Sequence, residues 1–290
     1  MKKYWYRRIL IMALVFFVSV GGSYLLIEQK KDAMRREVSA QTSEEDLVIP
    51  GGMPVGIYMK TKGVMVLDTQ KIKGEDGAEY EPALHIVKAG DYITGFNGKD
   101  INTKNELVEA VSSFSEQKAK LDICRKGETI HVKMDMIQCE DGTKKLGIWV
   151  RDNAQGLGTI TYLDSDSHFG ELGHGIHDID TGELLNISDG TLYLTSVKEI
   201  QKGVNGTPGG MEGIIVYNNY NVLGKIKKNT EAGIFGTIDR VDVLFANQTP
   251  VQLAKKEEVE EGPAIIRCAV DGEIKEIRLM DHKIIIKENK

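Results

Sequence analysis

Residues 86–98 read Ile-Val-Lys-Ala-Gly-Asp-Tyr-Ile-Thr-Gly-Phe-Asn-Gly. A turn at the glycine-aspartate pair leads into a short apolar strand, and Asn97-Gly98 ends it. An Asn-Gly pair flanked by apolar residues is a strong hairpin signal, because both residues tolerate the positive φ of a tight turn. The chain is therefore antiparallel β here. Downstream, Asn102 or Thr103 can cap a helix over Lys104–Ser113 that carries Leu107, Val108 and Val111 on one face. The stretch AKLDICRKGETIHVKMDM follows as two alternating strands about Lys126-Gly127. Upstream, the loop PGGMPVG (50–56) precedes IYMKT and VMVLDT, read as two strands about a tight turn at Lys62-Gly63. A polar insertion, KIKGEDGAEYEPA, separates them from the deciding segment.

The chain has 290 residues, room for about two domains. Apolar residues make up 41% and charged residues 28%, a globular composition that excludes a fibrous, disordered or polytopic membrane protein. Gly is frequent at 31 residues and Pro scarce at 6, which favours tight turns in a β-rich chain. Three cysteines, Cys124, Cys139 and Cys268, make no disulfide framework and no CxxC zinc pair. The net charge of −6 includes four basic residues near the N-terminus (Lys2, Lys3, Arg7, Arg8), so the rest is more acidic still. An acidic body argues against a nucleic-acid partner, since phosphate backbones need a basic face.

Residues 9–27, ILIMALVFFVSVGGSYLLI, run without a charge. They are just long enough to cross the hydrocarbon core as a helix. Basic residues before them place the N-terminus in the cytoplasm and the body across the membrane. A cleaved signal peptide is the competing reading, although its apolar region would be unusually long. Either way the body is exported. Residues 28–49 are polar and read as a stalk.

The remaining chain, about 145–290, repeats short strands: GIWVRD and GLGTITYLD about a turn at residues 153–156, then LLNIS, TLYLTSVKEI, GIIVYN, VLGKI, GIFGTI, VDVLFA, AIIRCAV, EIKEIRLM and KIIIK. Turns are expected at Asp189-Gly190, Gly209-Gly210 and Asp271-Gly272. Such spacing suggests a barrel or sandwich. Within it, residues 168–182 read HFGELGHGIHDIDTG. His174 lies between two glycines, which leave its ring accessible. A general-base histidine needs that access, an acidic orienter and a nucleophile. Asp178, Asp180 and Asp239 are candidate orienters, and nothing in the sequence ranks them. Ser188 and Ser196 lie in apparent strands without the glycine turn that exposes a nucleophile. A metal site on His168, His174, His177, Asp178 and Asp180 is an alternative, but the spacing fits no zinc pattern. No cofactor is expected. A bland loop histidine is the remaining account.

Two resemblances sharpen these readings. The order of glycine-rich loop, KAGDYITGFNGKDI, single helix and final hairpin around RKGE resembles a PDZ domain. In that family the loop before the second strand takes a peptide carboxylate and the peptide adds as an extra strand. The loop maps onto Gly52, Met53, Pro54, Val55, Gly56 and Ile57, with the departure that Pro54 has no N–H to donate. A structural β-domain that binds nothing stays open.

HFGELGHGIHDIDTG, QKGVNGTPGG and KNTEAGIFGTIDR resemble the stage IV sporulation protein B family of serine peptidases. That family also begins with a membrane anchor and a PDZ domain, so the likeness spans the chain. It implies a chymotrypsin-like double β-barrel in which His174 activates a serine. It further implies cleavage of the protein itself and of a membrane-bound regulator of an intramembrane protease, in the space between the two forespore membranes. That event releases a late mother-cell sigma factor. The family's serine sits in a Gly-Met-Ser-Gly-Ser-Pro loop, with its acidic partner upstream. The present sequence has no Gly-x-Ser-Gly stretch, so by resemblance both would lie beyond Lys290. Residues 203–208, GVNGTP, imitate that loop with Asn for Ser but correspond to a separate glycine-rich segment.

The fold expected is thus mainly β: anchor over 1–27, stalk over 28–49, PDZ-like domain over 50–140, and an incomplete peptidase barrel over 145–290. A shortened, non-cutting relative that serves as a membrane-tethered PDZ adaptor is the alternative.

Overall fold

The computed structural model describes residues 47–246, 248–259, 262–269 and 274–279. The expected anchor, the stalk up to residue 46, the Asp271-Gly272 turn and the KIIIK strand lie outside them. Among the described residues no helix is long and apolar enough to cross a membrane.

The fold is mainly β. In chain order the principal elements are β1 (Leu47–Pro50), β2 (Pro54–Thr69), β3 (Tyr92–Phe96), α1 (Lys104–Ser113), β4 (Lys118–Arg125), β5 (Glu128–Asp135), β6 (Ile148–Asp164) and β7 (His168–Glu171). Then follow β8 (Ile187–Tyr193), β9 (Thr195–Gln201), β10 (Gly210–Ile215), β11 (Val222–Thr230), β12 (Gly233–Ile238), α2 (Val241–Phe245), β13 (Ala264–Ala269) and β14 (Ile274–Leu279). Val48 and Ile49 of β1, placed in the stalk by sequence, and Pro50 after them pair with Asp164, Leu163 and Tyr162 of β6.

Two long strands, β2 and β6, organise everything else. They run antiparallel from Ile148 against Thr69 to Thr159 against Pro54. Their far halves join a closed circuit. β6 pairs with β7, β7 with β12, β12 with β11, β11 with β8, β8 with β2, and β2 again with β6, all antiparallel. The interior is filled by Val55, Ile57, Met59, Ile160, Phe169, Leu192, Leu223, Ile226 and Ile234, each at most 2% exposed. Each such side chain stabilises the fold by roughly 1.5–3 kcal/mol relative to exposure.

The near half of β2 belongs to a second core. There Val64 and Val66 pack with Ile93, Phe96, Leu107, Val111, Leu121 and Ile123. This unit is the sheet β2–β3–β4–β5 with α1 against it. Its local signals work as expected. Asn97 and Gly98 turn with φ of 49° and 81°, and Lys126 and Gly127 with 51° and 83°. Thr103 caps α1 in a full capping box, its hydroxyl accepting from Glu106 N–H while the Glu106 carboxylate accepts from Thr103 N–H. Asp91 of the deciding segment is buried and takes the Arg125 guanidinium on both oxygens at 2.7 Å, plus Lys88 N–H at 2.8 Å.

Several sequence readings are corrected. The turns expected at Lys62-Gly63 and at 153–156 do not exist, and β2 and β6 are each continuous. Between the pairs Arg151–Met65 and Asn153–Lys60, β2 spends four residues opposite one of β6. Such a bulge bends the strand, here at the point where β2 passes from the ring to the α1-bearing unit. Gly63 serves the bulge: its φ is 91°, and a Cβ there would lie 2.6 Å from Ile93 O. The Thr61 hydroxyl closes the bend on Gly63 O at 2.6 Å. Asp189-Gly190 is strand interior, where a Cβ on Gly190 would lie 2.8 Å from Ile226 Cβ. VDVLFA contains α2, a short helix that buries Leu244 and Phe245.

Gly63→Ala should therefore cost about 1–3 kcal/mol, because it combines positive φ with a backbone clash. A lowered urea midpoint with unchanged m-value would register it, and an unchanged midpoint would refute this account of the bend.

Candidate active site

The HFGELGHGIHDIDTG segment forms β7 and the loop that leaves it. Leu172 and Gly173, with φ of 72° and 106°, turn the chain out of the strand. His174 follows, exposed. Its Nδ1 lies 3.0 Å from Gly175 O. A carbonyl accepts but cannot donate, so this bond places the ring proton on Nδ1 and leaves Nε2 as the basic nitrogen. That tautomer suits an imidazole that takes a proton from a hydroxyl.

The loop beyond is held from several sides. Gly175 is buried, and a Cβ there would meet Leu184 Cδ1 at 2.4 Å and Thr230 O at 2.5 Å. Asn229, next to Thr230, clamps the loop as a piece of backbone would. Its Oδ1 accepts Ile176 N–H at 2.9 Å, and its Nδ2 donates to Ile176 O at 2.8 Å and Leu185 O at 3.0 Å. His177 shares the Gly175 carbonyl at 3.2 Å and reaches Glu231 at 3.3 Å through Nε2.

Asp178 is committed to the loop's own turn. Its Oδ1 accepts the N–H groups of Asp180 and Thr181, both at 3.0 Å, and the Thr181 hydroxyl at 3.3 Å. Its Oδ2 takes Arg151 Nη1 at 2.5 Å, and the same guanidinium reaches Asp180 at 2.9 Å through Nη2. Neither acid is bonded to His174. Asp239 is exposed past the end of β12, where its N–H bonds Leu223 O. The element orienting His174 is therefore a backbone carbonyl, and the carboxylates considered from sequence shape the loop or face solvent.

The serines are also placed. Ser188 donates to Thr61 O at 3.1 Å across the β8–β2 ladder, and Ser196 sits exposed in β9 opposite Ile214. Residues 204–207 form the tip of the β9–β10 hairpin, closed by two Val204–Thr207 backbone bonds. His168 bonds Asp164 at 3.1 Å. Among the described residues no three His, Cys, Asp or Glu side chains converge as metal ligands.

The 52–57 stretch, expected to receive a peptide, is instead taken up by the ring. Gly51 and Gly52 donate to Thr161 O and Ile160 O. Gly56 and Ile57 are paired on both sides, with Leu157 and Gly156 of β6 and with Tyr193 and Leu192 of β8. No edge remains there for an added strand. A groove of about 370 Å³ lies elsewhere, between Leu107, Val108 and Val111 of α1 and the stretch bearing Leu146, Ile148 and Val150. On the side away from β2, residues 148–151 have no strand partner among the described residues. Sequence reasoning missed this groove because Leu146-Gly147-Ile148 reads simply as the start of the next domain.

Sequence reasoning also missed Glu171, the last residue of β7. It is 2% exposed, and neither carboxyl oxygen has a hydrogen-bond partner. Gly158 leaves the space it fills, since a Cβ there would lie 2.0 Å from Glu171 Oε1. Burial pushes the Glu171 carboxyl up to about 8. An acidic residue in a strand otherwise facing the core is the one signal that could have marked it.

A closed antiparallel circuit with an accessible, carbonyl-oriented imidazole on a glycine-bounded loop is a frame on which a hydrolase can be built. Residues 142–290, just over half of the chain, match the family described as SpoIVB peptidase S55, and the chain belongs to that family. The family is one of serine peptidases, hydrolases acting on protein substrates. Among solved structures, the PDZ domain of the SdrC-like protein from Listeria innocua is similar at 24% identity, covering 31% of this chain and 93% of that one, with a TM-score of 0.26. The PDZ domain of the SdrC-like protein from Listeria monocytogenes is similar at 21% identity, covering 31% and 87%, with a TM-score of 0.25. No curated protein matches the chain.

Glu171 yields a pH prediction. The folded state holds its proton up to about pH 8, whereas an unfolded glutamate releases it near its ordinary value of 4.5. Stability should therefore fall as pH rises between those values, by an amount on the order of a few kcal/mol. Glu171→Met removes this loss, so the variant's advantage in urea midpoint over the parent should widen from pH 5 to pH 8. A constant difference would mean the carboxyl is not held neutral.

Proposed function

We propose that this chain is the membrane-anchored, exported body of a sporulation serine endopeptidase in which His174 is the general base. What supports the reading is His174 itself: an exposed imidazole with Nδ1 tied to Gly175 O and Nε2 left basic, inside the segment that matches the peptidase family. The mechanism is acyl transfer. A serine hydroxyl gives its proton to His174 Nε2 and attacks the scissile carbonyl. The imidazolium then protonates the leaving amine, and water repeats the sequence on the acyl-enzyme. Residues 188 and 196 are set in strands and are not assigned the nucleophile's part. By resemblance, the substrates are the protein itself and a membrane-bound regulator of an intramembrane protease, and the site of action is the forespore intermembrane space.

The groove beside α1 supports a recognition step within the same function. One wall is apolar helix and the other is a strand with an open edge, which suits an extended protein segment adding as a further strand. A membrane-tethered adaptor that binds through this groove without cutting is the second reading, favoured by the same observation.

His174→Ala in the full-length protein should slow self-cleavage by roughly 10^4-fold, since a catalytic triad acts as a unit. The appearance of the shortened product on a gel over time measures it. A parent protein that never cuts itself would favour the adaptor, and a His174→Ala variant that cuts at the parent rate would remove His174 from the mechanism.

A further inference from the structure

Within five consecutive residues, β6 touches three different parts of the molecule. Ile148 and Val150 line the groove beside α1. Side chains alternate along a strand, so Trp149 and Arg151 project to the other face. Arg151 there spans Asp178 and Asp180 of the His174 loop, at 2.5 and 2.9 Å. The next residue, Asp152, takes the backbone N–H of Lys104, the first residue of α1, at 2.8 Å. That carboxylate also meets the positive end of the helix dipole. The strand is thus bonded to the helix that forms the opposite wall of the groove and to the loop that presents the imidazole.

We propose that Arg151 is a positioning residue for His174, and that it transmits occupation of the groove by an extended peptide to the His174 loop. The inference rests on the reading of the groove as a peptide site. Its physical basis is the geometry of the ion pair. The Asp178 side chain is fully buried, and its other oxygen organises the turn over residues 178–181. A planar guanidinium forked across two carboxylates is directional, so it holds one arrangement and tolerates little displacement. A peptide that adds to the open edge of residues 148–150 changes the position of β6 relative to α1. Arg151 moves with that strand, while Asp178 and Asp180 stay with the loop. Removing Arg151 alone leaves a buried carboxylate unpaired, which is strongly destabilising. An informative variant therefore removes both charges and keeps the acceptor that the turn needs.

The experiment uses the full chain with 13C-labelled histidine, His174 being assigned through His174→Gln. Val108 is 54% exposed on α1 and lines the groove, so Val108→Trp fills the groove without any ligand. In the parent background the filler should shift the His174 ring signals and leave those of His168, bonded to Asp164, in place. In the background Arg151→Met with Asp178→Asn, the same filler should leave His174 unmoved. Arg151→Lys keeps the charge but loses the fork, and should pass on only part of the shift. Equal shifts in all backgrounds, or none in the parent, overturn the proposal. Because the filler needs no ligand, failure of the chain to bind peptides would overturn the groove reading and leave this coupling standing.

Discussion

The pairing of β2 with β6 is the constraint on which the structure depends. Neither strand could serve one core only, because each is long enough to pass through two. The bulge at residues 61–64 reconciles them. In a regular strand, side chains that face one core would continue to face the same side. On both sides of the bulge the odd positions keep one face, so Val55, Ile57 and Met59 enter the ring, while Val64 and Val66, on the opposite face, enter the α1-bearing unit. Met65 still reaches the ring core with Tyr92, whose hydroxyl accepts Asn186 N–H at 3.1 Å. The two cores are thus parts of one hydrogen-bonded fabric.

The site loop follows from the ring. β7 has neighbours on both sides, β6 and β12, so its end is fixed where Glu171 pairs with Ile160 and Ile234. What leaves it must turn sharply, and Leu172 and Gly173 do so at positive φ. Beyond His174, the loop puts Ile176 against the ring core and Leu185 into it. Between those anchors its shape is held by polar groups that saturate one another: Asp178 with four hydrogen-bond donors, and Asn229 with three backbone groups of the loop and its return. A buried carboxylate is costly unless its acceptors are filled, and here they are. The contrast with Glu171 is instructive. Both carboxyls are buried, but Asp178 has its oxygens filled by an arginine and backbone N–H groups, while Glu171 has no hydrogen-bond partner and burial pushes its carboxyl up to about 8.

Local chemistry was legible in the sequence and partnership across the chain was not. Asn97-Gly98, Lys126-Gly127 and the Thr103 cap depend on residues within a few positions, and each forms as read. Lys62-Gly63 and Asp189-Gly190 carry the same kind of signal yet are not turns. Their glycines answer to Ile93 and Ile226, which approach from distant strands. Val241 to Phe245 alternates no better as a strand than as a helix, and a short apolar run cannot separate the two. The exposure of His174 was legible because its flanking glycines are local. Asp178 was visible as an acid near it, but its role is set by Arg151, 27 residues upstream, and Asn229 gave no sign of its clamp at all. The 52–57 stretch was misread for the same reason: its glycines looked like a binding loop, and only β6 and β8, about a hundred residues away, show that they are ladder.

This dependence bears on how the peptidase-family segment should be understood. Residues 142–290 contain five of the six strands in the ring, β6, β7, β8, β11 and β12. The sixth, β2, comes from the upstream unit and pairs with β6 on one side and β8 on the other. Without it, both neighbours would present unpaired edges, and Leu192 and Ile160 would lose the cover of Ile57 and Met59. The segment that carries His174 is therefore not an independent body onto which a recognition unit has been added. The strand that closes its ring continues directly into the sheet that α1 covers. In such an arrangement, a change at the groove and a change at the imidazole are consequences of the same pair of strands.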